Sequence, residues 1–174
     1  MPTVTVGGFP TAALTRRELA AIMVDDCLRA RQRGNDWTPK LVFSSNGQGI
    51  ALAGRDYRYY DVMRCADIIH ADGMSAVFAS RMTQTPLPER ICTTDFFVDA
   101  AGAASEHKLK FFLLGARDEQ NNAAAEAIHR LYPGVEVVGR HHGYFGDDED
   151  EAICRLIQNT GADVVWVALG KPRQ

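Results

Sequence analysis

The sequence predicts an α/β fold of the Rossmann-like, doubly wound type, with a mostly parallel sheet flanked by helices on both faces. Two observations support this fold class. Five short apolar runs have the length of buried strands, and segments with helical periodicity separate them. Alternation of this kind is typical of βαβ units. The 174 residues fit a single domain, residues 1–174, large enough to fold without disulfides or a structural metal.

The elements follow one another without repeats, low-complexity tracts or linkers. The spacing of Thr15 and Glu18 matches a capping box that opens the first helix. Apolar runs predict strands at residues 41–43, 67–70, 110–114, 135–138 and 164–169. Further helices are predicted between the first two strands up to about residue 64, and then at 74–82, 95–105, 118–131 and 147–159.

Composition excludes several classes of protein. The net charge of −3 argues against a broad nucleic-acid footprint, so no nucleic-acid partner is expected. Residues 1–10 lack the features of a signal peptide, and no apolar run is long enough to span a bilayer. The cysteines form no C-x-x-C pair and are expected to be reduced thiols of a cytoplasmic protein. Three of them, Cys27, Cys65 and Cys154, are predicted to lie in apolar helical surroundings.

Polar residues and glycines follow each predicted strand. Ligands of open parallel sheets bind outside the carboxyl ends of the strands, so these positions predict a polar ligand there. Asp72 stands out because it follows an apolar strand and precedes Gly73 and a helix. Two interpretations stay open for it: a helix N-cap, or a general base that accepts a proton from a hydroxyl group.

Basic residues are also frequent near these strand ends. Together they fit a nucleotide diphosphate site, although each alone is typical of a solvated surface. They are Arg81, Arg90, Arg117, Arg140, Lys171 and Arg173.

Three further signals are weaker. The acidic run of residues 147–150 is interpreted as the start of a helix rather than a metal site. The side chains of His141 and His142 are expected to diverge, as neighbours in a strand do, and no metal is expected. The glycine fingerprints of dinucleotide-binding folds and of P-loops are both missing.

Several of these segments together resemble the WecG/TagA/CpsF family of bacterial glycosyltransferases. The resemblance runs nearly from end to end, and the order and spacing of its parts are specific. The parts are Ser44-Ser45-Asn46, residues 66–73 (ADIIHADG), Leu87-Pro88-Glu89-Arg90 followed by Asp95, residues 112–115 (FLLG), His142-Gly143-Tyr144-Phe145, and Gly170-Lys171-Pro172-Arg173-Gln174.

The resemblance implies an inverting transferase that moves a sugar from a UDP-sugar onto a polyprenyl-diphosphate-linked saccharide. UDP-N-acetylmannosamine, UDP-N-acetylmannosaminuronate and UDP-glucuronate are the donors it suggests, with no metal or other cofactor. It assigns Asp72 as the catalytic base. The substrate-binding positions it implies are Ser44, Asn46, Gly73, Arg90, Asp95, Gly115, His142, Tyr144, Gly170 and Gln174.

The same resemblance implies a peripheral protein of the inner face of the bacterial plasma membrane, which builds cell-envelope or exopolysaccharide chains. A homo-oligomer stays open. This chain differs from the family pattern in having Ser44 for threonine, and Cys92-Thr93-Thr94-Asp95 where the family has T-G-[SA]-D. The family continues after Gln174 with a glutamate and a segment thought to contact the membrane. We therefore expect a C-terminally truncated, weakly active member.

Two other classes of function remain as alternatives. A Rossmann-like oxidoreductase would bind a nicotinamide cofactor, but its glycine fingerprint is missing. A non-enzymatic, receiver-like regulatory domain would use Asp72 as its phosphoacceptor. That domain needs a second carboxylate near the first strand to hold Mg²⁺, and Ser44-Ser45-Asn46 supplies none.

Overall fold

The computed structural model describes residues 1–173, which form two compact units. The first contains Met1–Ile22 and Gly34–Ala100, and the second contains Met23–Arg33 and the residues from 101 onward. The α/β class with parallel strands and flanking helices is confirmed, but the strands form two sheets where one was predicted. The assignment of residues 1–174 to a single domain stays a prediction. In the described part of the chain, no helix has the length and apolar character needed to cross a membrane.

The first unit is built on a four-stranded sheet in the order β1-β2-β4-β3. Strands β2, β4 and β3 are parallel, and β1 pairs with β2 in the antiparallel sense. The strands are β1 (Thr3–Val6), β2 (Phe9–Ala12), β3 (Val42–Ser45) and β4 (Ile68–Ala71). The helices are α2 (Gly47–Ala53), α3 (Tyr57–Arg64) and α4 (Met74–Ser80), with parts of α1 (Arg16–Arg33) and α5 (Thr93–Glu106).

Apolar side chains of the helices cover this sheet. Phe9 and Ile69 pack against Tyr59 and Met63 of α3, and Ala71 packs against Val77 of α4. The strand β4 is buried along its whole length. Its burial fits a central strand of a parallel sheet, which needs apolar cover on both faces.

The second unit contains a three-stranded, fully parallel sheet in the order β6-β5-β7. Its strands are β5 (Lys110–Gly115), β6 (Glu136–His141) and β7 (Val164–Ala168), and its helices include α6 (Asp118–Leu131) and α7 (Asp150–Thr160). Phe112, Leu114, Phe145 and Ile153 form a buried cluster between strand β5 and helix α7.

All five predicted strands exist, and the capping box is confirmed. The backbone N–H of Glu18 donates to Thr15 Oγ1 at 3.2 Å, and the Thr15 N–H donates to the Glu18 carboxylate at 2.7 Å. The hydrogen bonds from Thr15 lower the pKa of Glu18.

The structure differs from the predicted elements at a hairpin and at a helix. The hairpin of β1 and β2 was not predicted, although Gly7 and Gly8 both have positive φ, as a tight two-residue turn requires. The single helix expected before residue 64 is two helices. Gly54 ends α2, and Asp56 caps α3 by accepting a hydrogen bond from Tyr59 N–H.

The apolar helical surroundings predicted for Cys27, Cys65 and Cys154 are found only for Cys27. This residue is buried, whereas Cys65 and Cys154 are exposed. Burial raises the pKa of the Cys27 thiol to about 12, assisted by the negative charge of Asp163. The exposed pair shows that helical position alone does not predict burial, because each cysteine lies on the outer side of its segment.

A buried amide ties the strands of the second unit together. Asn121, on α6, is only 4% exposed, and its side-chain N–H group lies within 2.8–3.2 Å of three backbone carbonyl oxygens. These carbonyls belong to Leu113, Gly115 and His141. The side chain therefore joins the carboxyl ends of β5 and β6 to the start of α6.

We predict that Asn121→Ala lowers the free energy of unfolding by roughly 1–3 kcal/mol, because buried carbonyls lose their donor. Asn121→Asp is expected to be worse, since it places a carboxylate among three carbonyl oxygens. Urea unfolding followed by circular dichroism measures both. Asn122→Ala is the control, because within residues 1–173 its amide donates only to the exposed Glu126. Equal losses for Asn121→Ala and Asn122→Ala would contradict the assignment.

Candidate functional site

The carboxyl ends of β3 and β4 lie side by side in the first unit. Ser44 pairs with His70 and Ser45 with Ala71, so both serines belong to the strand, which was predicted to end at residue 43. The pairing continues one residue further, because Asp72 N–H donates to Ser45 O at 2.8 Å. Parallel pairing therefore brings Asn46 and Asp72, the next residues of the two strands, to the same point of the sheet edge.

Asp72 is not the cap of helix α4. Gly73 occupies the N-cap position, with extended backbone, and no side chain accepts a hydrogen bond from the first turn. The Asp72 side chain is half-buried. Within the described part of its unit, the carboxylate has no hydrogen-bond or ion-pair partner. The helix-cap interpretation is thus wrong, and the carboxylate is available to a ligand.

Asn46 and Gly73 are neighbours at this edge. Asn46 caps α2, since its Oδ1 accepts a hydrogen bond from Gly49 N–H at 2.9 Å. A Cβ atom added to Gly73 would lie 3.5 Å from Asn46 Cβ and 3.6 Å from Ser75 Oγ. The glycine therefore leaves a gap of about one methyl group between two polar residues.

The segment that carries Arg90 is attached to β4 by two hydrogen bonds. Ile91 N–H donates to Ala71 O at 2.7 Å, and the Ile91 carbonyl lies 3.0 Å from Nδ1 of the buried His70. A carbonyl oxygen only accepts, so Nδ1 of His70 carries the proton. These bonds hold Arg90 beside the strand end that leads into Asp72. His70 was not among the site residues predicted from the sequence.

Arg90 also belongs to a cluster of charged side chains. Asp95 Oδ2 lies 3.7 Å from Arg90 Nη2 and also 3.7 Å from Arg16 Nη1, so the predicted residues Arg90 and Asp95 lie in contact. Arg16 Nε lies 3.3 Å from Asp99 Oδ2. That contact has the distance of an ion pair but not the geometry of a hydrogen bond, because Asp99 Oδ2 has no hydrogen-bond partner in the described residues.

Arg16 was not predicted from the sequence, and Glu89 was quoted there only as part of the family resemblance, without a role. The Glu89 carboxylate accepts a hydrogen bond from the backbone N–H of Arg16 at 2.7 Å, which stabilises the start of α1. A signal for Arg16 was present in the sequence. Two arginines occupy the first turn of this helix, where the helix dipole disfavours cations, and such an anomaly indicates a specific acidic partner.

In the second unit, glycines allow three strand ends to approach closely. Gly115 has a φ of 137°, and a Cβ atom there would lie 2.3 Å from Ala168 O. Gly143 N–H donates to Ala116 O at 2.8 Å, and Ala116 N–H donates to Ala168 O at 3.3 Å. The ends of β5, β6 and β7 thus meet at one edge, and this edge carries Gly115, His142 and Gly170, three of the positions that the family resemblance implies for substrate binding.

The other predicted residues of this unit lie in the loops after those strands. Nδ1 of the half-buried His142 accepts a hydrogen bond from Tyr144 N–H at 3.3 Å, while the Tyr144 side chain is 69% exposed. Gly170 follows β7 with a φ of 79°, a conformation that favours glycine. Gln174, the remaining predicted residue, lies outside the described residues.

The basic residues predicted to lie near the strand ends have different surroundings in the structure. Arg81 lies at the end of α4 that is remote from Asp72, where it stacks on Phe78. Arg140 pairs with Asp118, and Arg173 pairs with Asp147 and stacks on Phe145. These pairs are largely exposed and contribute little stability. Arg117 forms the N-cap of α6, and Lys171 precedes a cis proline.

The acidic run and the histidine pair, two of the weaker signals in the sequence, have different outcomes. Residues 147–150 open α7 through a short 3₁₀ turn, as expected of acids at a helix start. The expected divergence of the histidines is wrong: the ring centroids of His141 and His142 lie 4.5 Å apart, because β6 ends at His141. Among residues 1–173, no three His, Cys, Asp or Glu side chains are grouped as metal ligands.

One concavity of the second unit does not lie at these strand ends. It is an open depression of about 590 Å³ between α6 and the start of β6, lined by Glu126, His129 and Glu136 among others. Ligands of parallel sheets bind at the opposite, carboxyl ends of the strands. We therefore assign the candidate site to the strand ends.

Comparison with known proteins identifies relatives over most of the chain. The family model of the glycosyl transferase WecG/TagA/CpsF family matches residues 4–174. A Bacillus subtilis N-acetylglucosaminyldiphosphoundecaprenol N-acetyl-beta-D-mannosaminyltransferase is 33% identical over 134 residues, or 76% of this chain and 52% of the relative. A Staphylococcus aureus protein of the same name is 32% identical over 134 residues, or 77% of this chain and 52% of the relative.

The chain thus spans about half the length of the relatives it matches. The match nevertheless includes both units and every position that the sequence resemblance selected, from Ser44 to Gln174. The chain belongs to the WecG/TagA/CpsF family of glycosyltransferases.

Proposed function

We propose that this protein transfers a sugar from a UDP-sugar onto a polyprenyl-diphosphate-linked saccharide, with Asp72 as the general base. The observation that supports this proposal most strongly is the half-buried Asp72 carboxylate. It lies at the carboxyl end of the central strand β4, caps no helix and has no partner within the described part of its unit. A carboxylate held in this way is able to accept a proton from a substrate hydroxyl.

The proposed reaction is a direct displacement at the anomeric carbon. Asp72 accepts the proton of the acceptor hydroxyl, whose oxygen forms a new bond to that carbon from the face opposite UDP. The bond between the carbon and the phosphate oxygen breaks, and UDP leaves with the electron pair. The configuration is therefore inverted. Arg90 is proposed to stabilise the charge that develops on the diphosphate, in a mechanism that does not depend on a metal.

The names of the relatives guide the choice of substrates. They describe transfer of an N-acetyl-beta-D-mannosaminyl group to N-acetylglucosaminyldiphosphoundecaprenol. We propose UDP-N-acetylmannosamine as the first donor to test, followed by UDP-N-acetylmannosaminuronate and UDP-glucuronate. Because such an acceptor is anchored in a bilayer, we also propose that the protein acts at the inner face of the plasma membrane, in the synthesis of cell-envelope or secreted polysaccharide.

Asp72→Asn is expected to lower kcat by roughly 10²–10⁴-fold, because the amide cannot accept the proton. UDP affinity is expected to change little, since the leaving group does not need the base. Turnover with a short-chain polyprenyl acceptor and calorimetric UDP titration measure the two effects. The control is Asp61→Asn, which removes an exposed carboxylate of α3. Turnover of Asp72→Asn within a few-fold of the wild type would contradict the role.

His70 is proposed as a positioning residue for Arg90. It touches no substrate in this scheme, and acts through its hydrogen bond to the Ile91 carbonyl. The ring of Phe96 packs beside it with a centroid distance of 6.0 Å. Loss of the Nδ1 donor would free the segment that carries Arg90 from one of its two bonds to β4.

We predict that His70→Leu weakens UDP binding roughly tenfold, about 1.4 kcal/mol, the size of one hydrogen bond. His70→Asn is expected to restore most of the affinity, because its amide N–H occupies the place of Nδ1. In the His70→Leu background, Arg90→Gln should cost much less affinity than it does in the wild type. Additive effects of the two substitutions would show that His70 only supports the fold.

A further inference from the structure

The Asp95 carboxylate lies between two arginines that belong to different segments of the first unit. Its Oδ2 atom is 3.7 Å from Nη1 of Arg16, on α1, and 3.7 Å from Nη2 of Arg90, in the segment before α5. Both distances fit ion pairs, but neither contact is a hydrogen bond. One carboxylate charge is therefore shared by two guanidinium groups. Among the described residues, Arg90 forms no second ion pair.

Arg16 is held in this place by contacts that do not involve Asp95. Its backbone N–H donates to the Glu89 carboxylate at 2.7 Å, and its Nε lies 3.3 Å from Oδ2 of Asp99. That Asp99 oxygen is buried, so its negative charge favours a cation beside it. The backbone and the guanidinium of Arg16 are thus both fixed next to the segment that carries Arg90.

A carboxylate beside Arg90 weakens the attraction of this arginine for an anion. A pair of one arginine and one carboxylate is close to neutral, and the carboxylate repels a phosphate that approaches the same guanidinium. Arg16 attracts the Asp95 oxygen from its own side, which leaves more of the Arg90 charge to a ligand. This effect is electrostatic, so it does not require Arg16 to touch the ligand.

We propose that Arg16 is a positioning residue for diphosphate binding, because it shares the Asp95 charge and so keeps Arg90 available. The inference rests on the proposed function, in which Arg90 stabilises the charge on the diphosphate of the UDP-sugar. Without Arg16, Asp95 would pair with Arg90 alone and compete with the diphosphate for its N–H groups. Arg16 thus determines how much of the Arg90 cation meets the leaving group.

Two other roles of Arg16 predict different results. A direct contact with the diphosphate would make Arg16 necessary whether or not Asp95 is charged. A purely structural role, in which Arg16 only neutralises the buried Asp99 oxygen, would also be independent of the Asp95 charge. The geometry favours the proposed role over direct contact, because Nε and Nη1 of Arg16 already face Asp99 and Asp95.

The test measures the dissociation constant of UDP by ¹⁵N nuclear magnetic resonance titration of the whole chain. Arg16→Gln is expected to raise this constant roughly threefold to fivefold, an effect of the size that exposed ion pairs produce. Arg16→Lys retains the charge and is expected to recover most of the affinity that Arg16→Gln loses. The matched control is Arg17→Gln, since Arg17 lies in the same helical turn, is exposed and forms no ion pair with the described residues.

The decisive comparison adds Asp95→Asn to Arg16→Gln. This second substitution removes the charge that competes for Arg90, so the double variant is expected to regain the UDP affinity that Arg16→Gln loses. A dissociation constant that stays raised in the double variant would overturn the inference, because direct contact and a structural role both predict that result. Equal effects of Arg16→Gln and Arg17→Gln would overturn it as well.

Arg90→Gln distinguishes a failure of the inference from a failure of the proposed function. If Arg90→Gln weakens UDP binding and Arg16→Gln does not, the inference alone fails. If Arg90→Gln binds UDP as tightly as the wild type, or the wild type does not bind UDP, the role proposed for Arg90 fails together with the inference.

Asp95→Asn alone decides the inference if the amide spectrum shows that Arg16→Gln does not fold. Removal of the competing carboxylate is then expected to lower the dissociation constant of UDP roughly threefold to fivefold. An unchanged or raised dissociation constant in Asp95→Asn would overturn the inference.

Discussion

The hydrogen bond from Asp72 N–H to Ser45 O is the interaction on which the candidate site of the first unit depends. It continues the parallel pairing of β3 and β4 by one residue beyond the last strand pair. The Asp72 N–H bonds to the neighbouring strand, so Gly73 and not Asp72 occupies the N-cap position of α4. The Asp72 side chain therefore does not cap the helix. A slip of the pairing by one residue would turn the side chain to the other face of the sheet.

The second constraint is the attachment of the segment around Ile91 to the same strand. Ala71 and His70 bind the N–H and the carbonyl of one residue, so this segment is fixed at both polar groups of its backbone. The free-energy cost of burying the His70 imidazole is offset by its hydrogen bond to the Ile91 carbonyl and by packing against Phe96. Strand β4 therefore organises both Asp72 and the loop of Arg90, although these residues lie 18 positions apart in the sequence.

The pattern of apolar residues predicted the fold class and the five strands β3 to β7, because apolar runs and helical periodicity indicate which residues are buried. Asp72 was found from the rule that ligands bind at strand ends. Asn46, Gly115 and Gly170 were taken from the family resemblance, and all four residues lie at the ends of strands. The hairpin at Gly7 and Gly8 was missed, since strands of four residues give a weak signal. Contacts between residues that are distant in the sequence, such as Arg16 with Asp95, could not be predicted. The spacing of residues along the chain does not indicate which distant side chains meet. The same limit explains why Arg81 was placed with the nucleotide site.

The central claim is that the carboxyl ends of β3 and β4 form a nucleotide-sugar site. It is tested most directly by nuclear magnetic resonance of the protein labelled with ¹⁵N and titrated with UDP. Saturable shifts of the backbone amides of Asn46, Gly73 and Ile91 are the result expected of this site. Saturable shifts confined to the depression between α6 and β6, with those three amides unmoved, would contradict it.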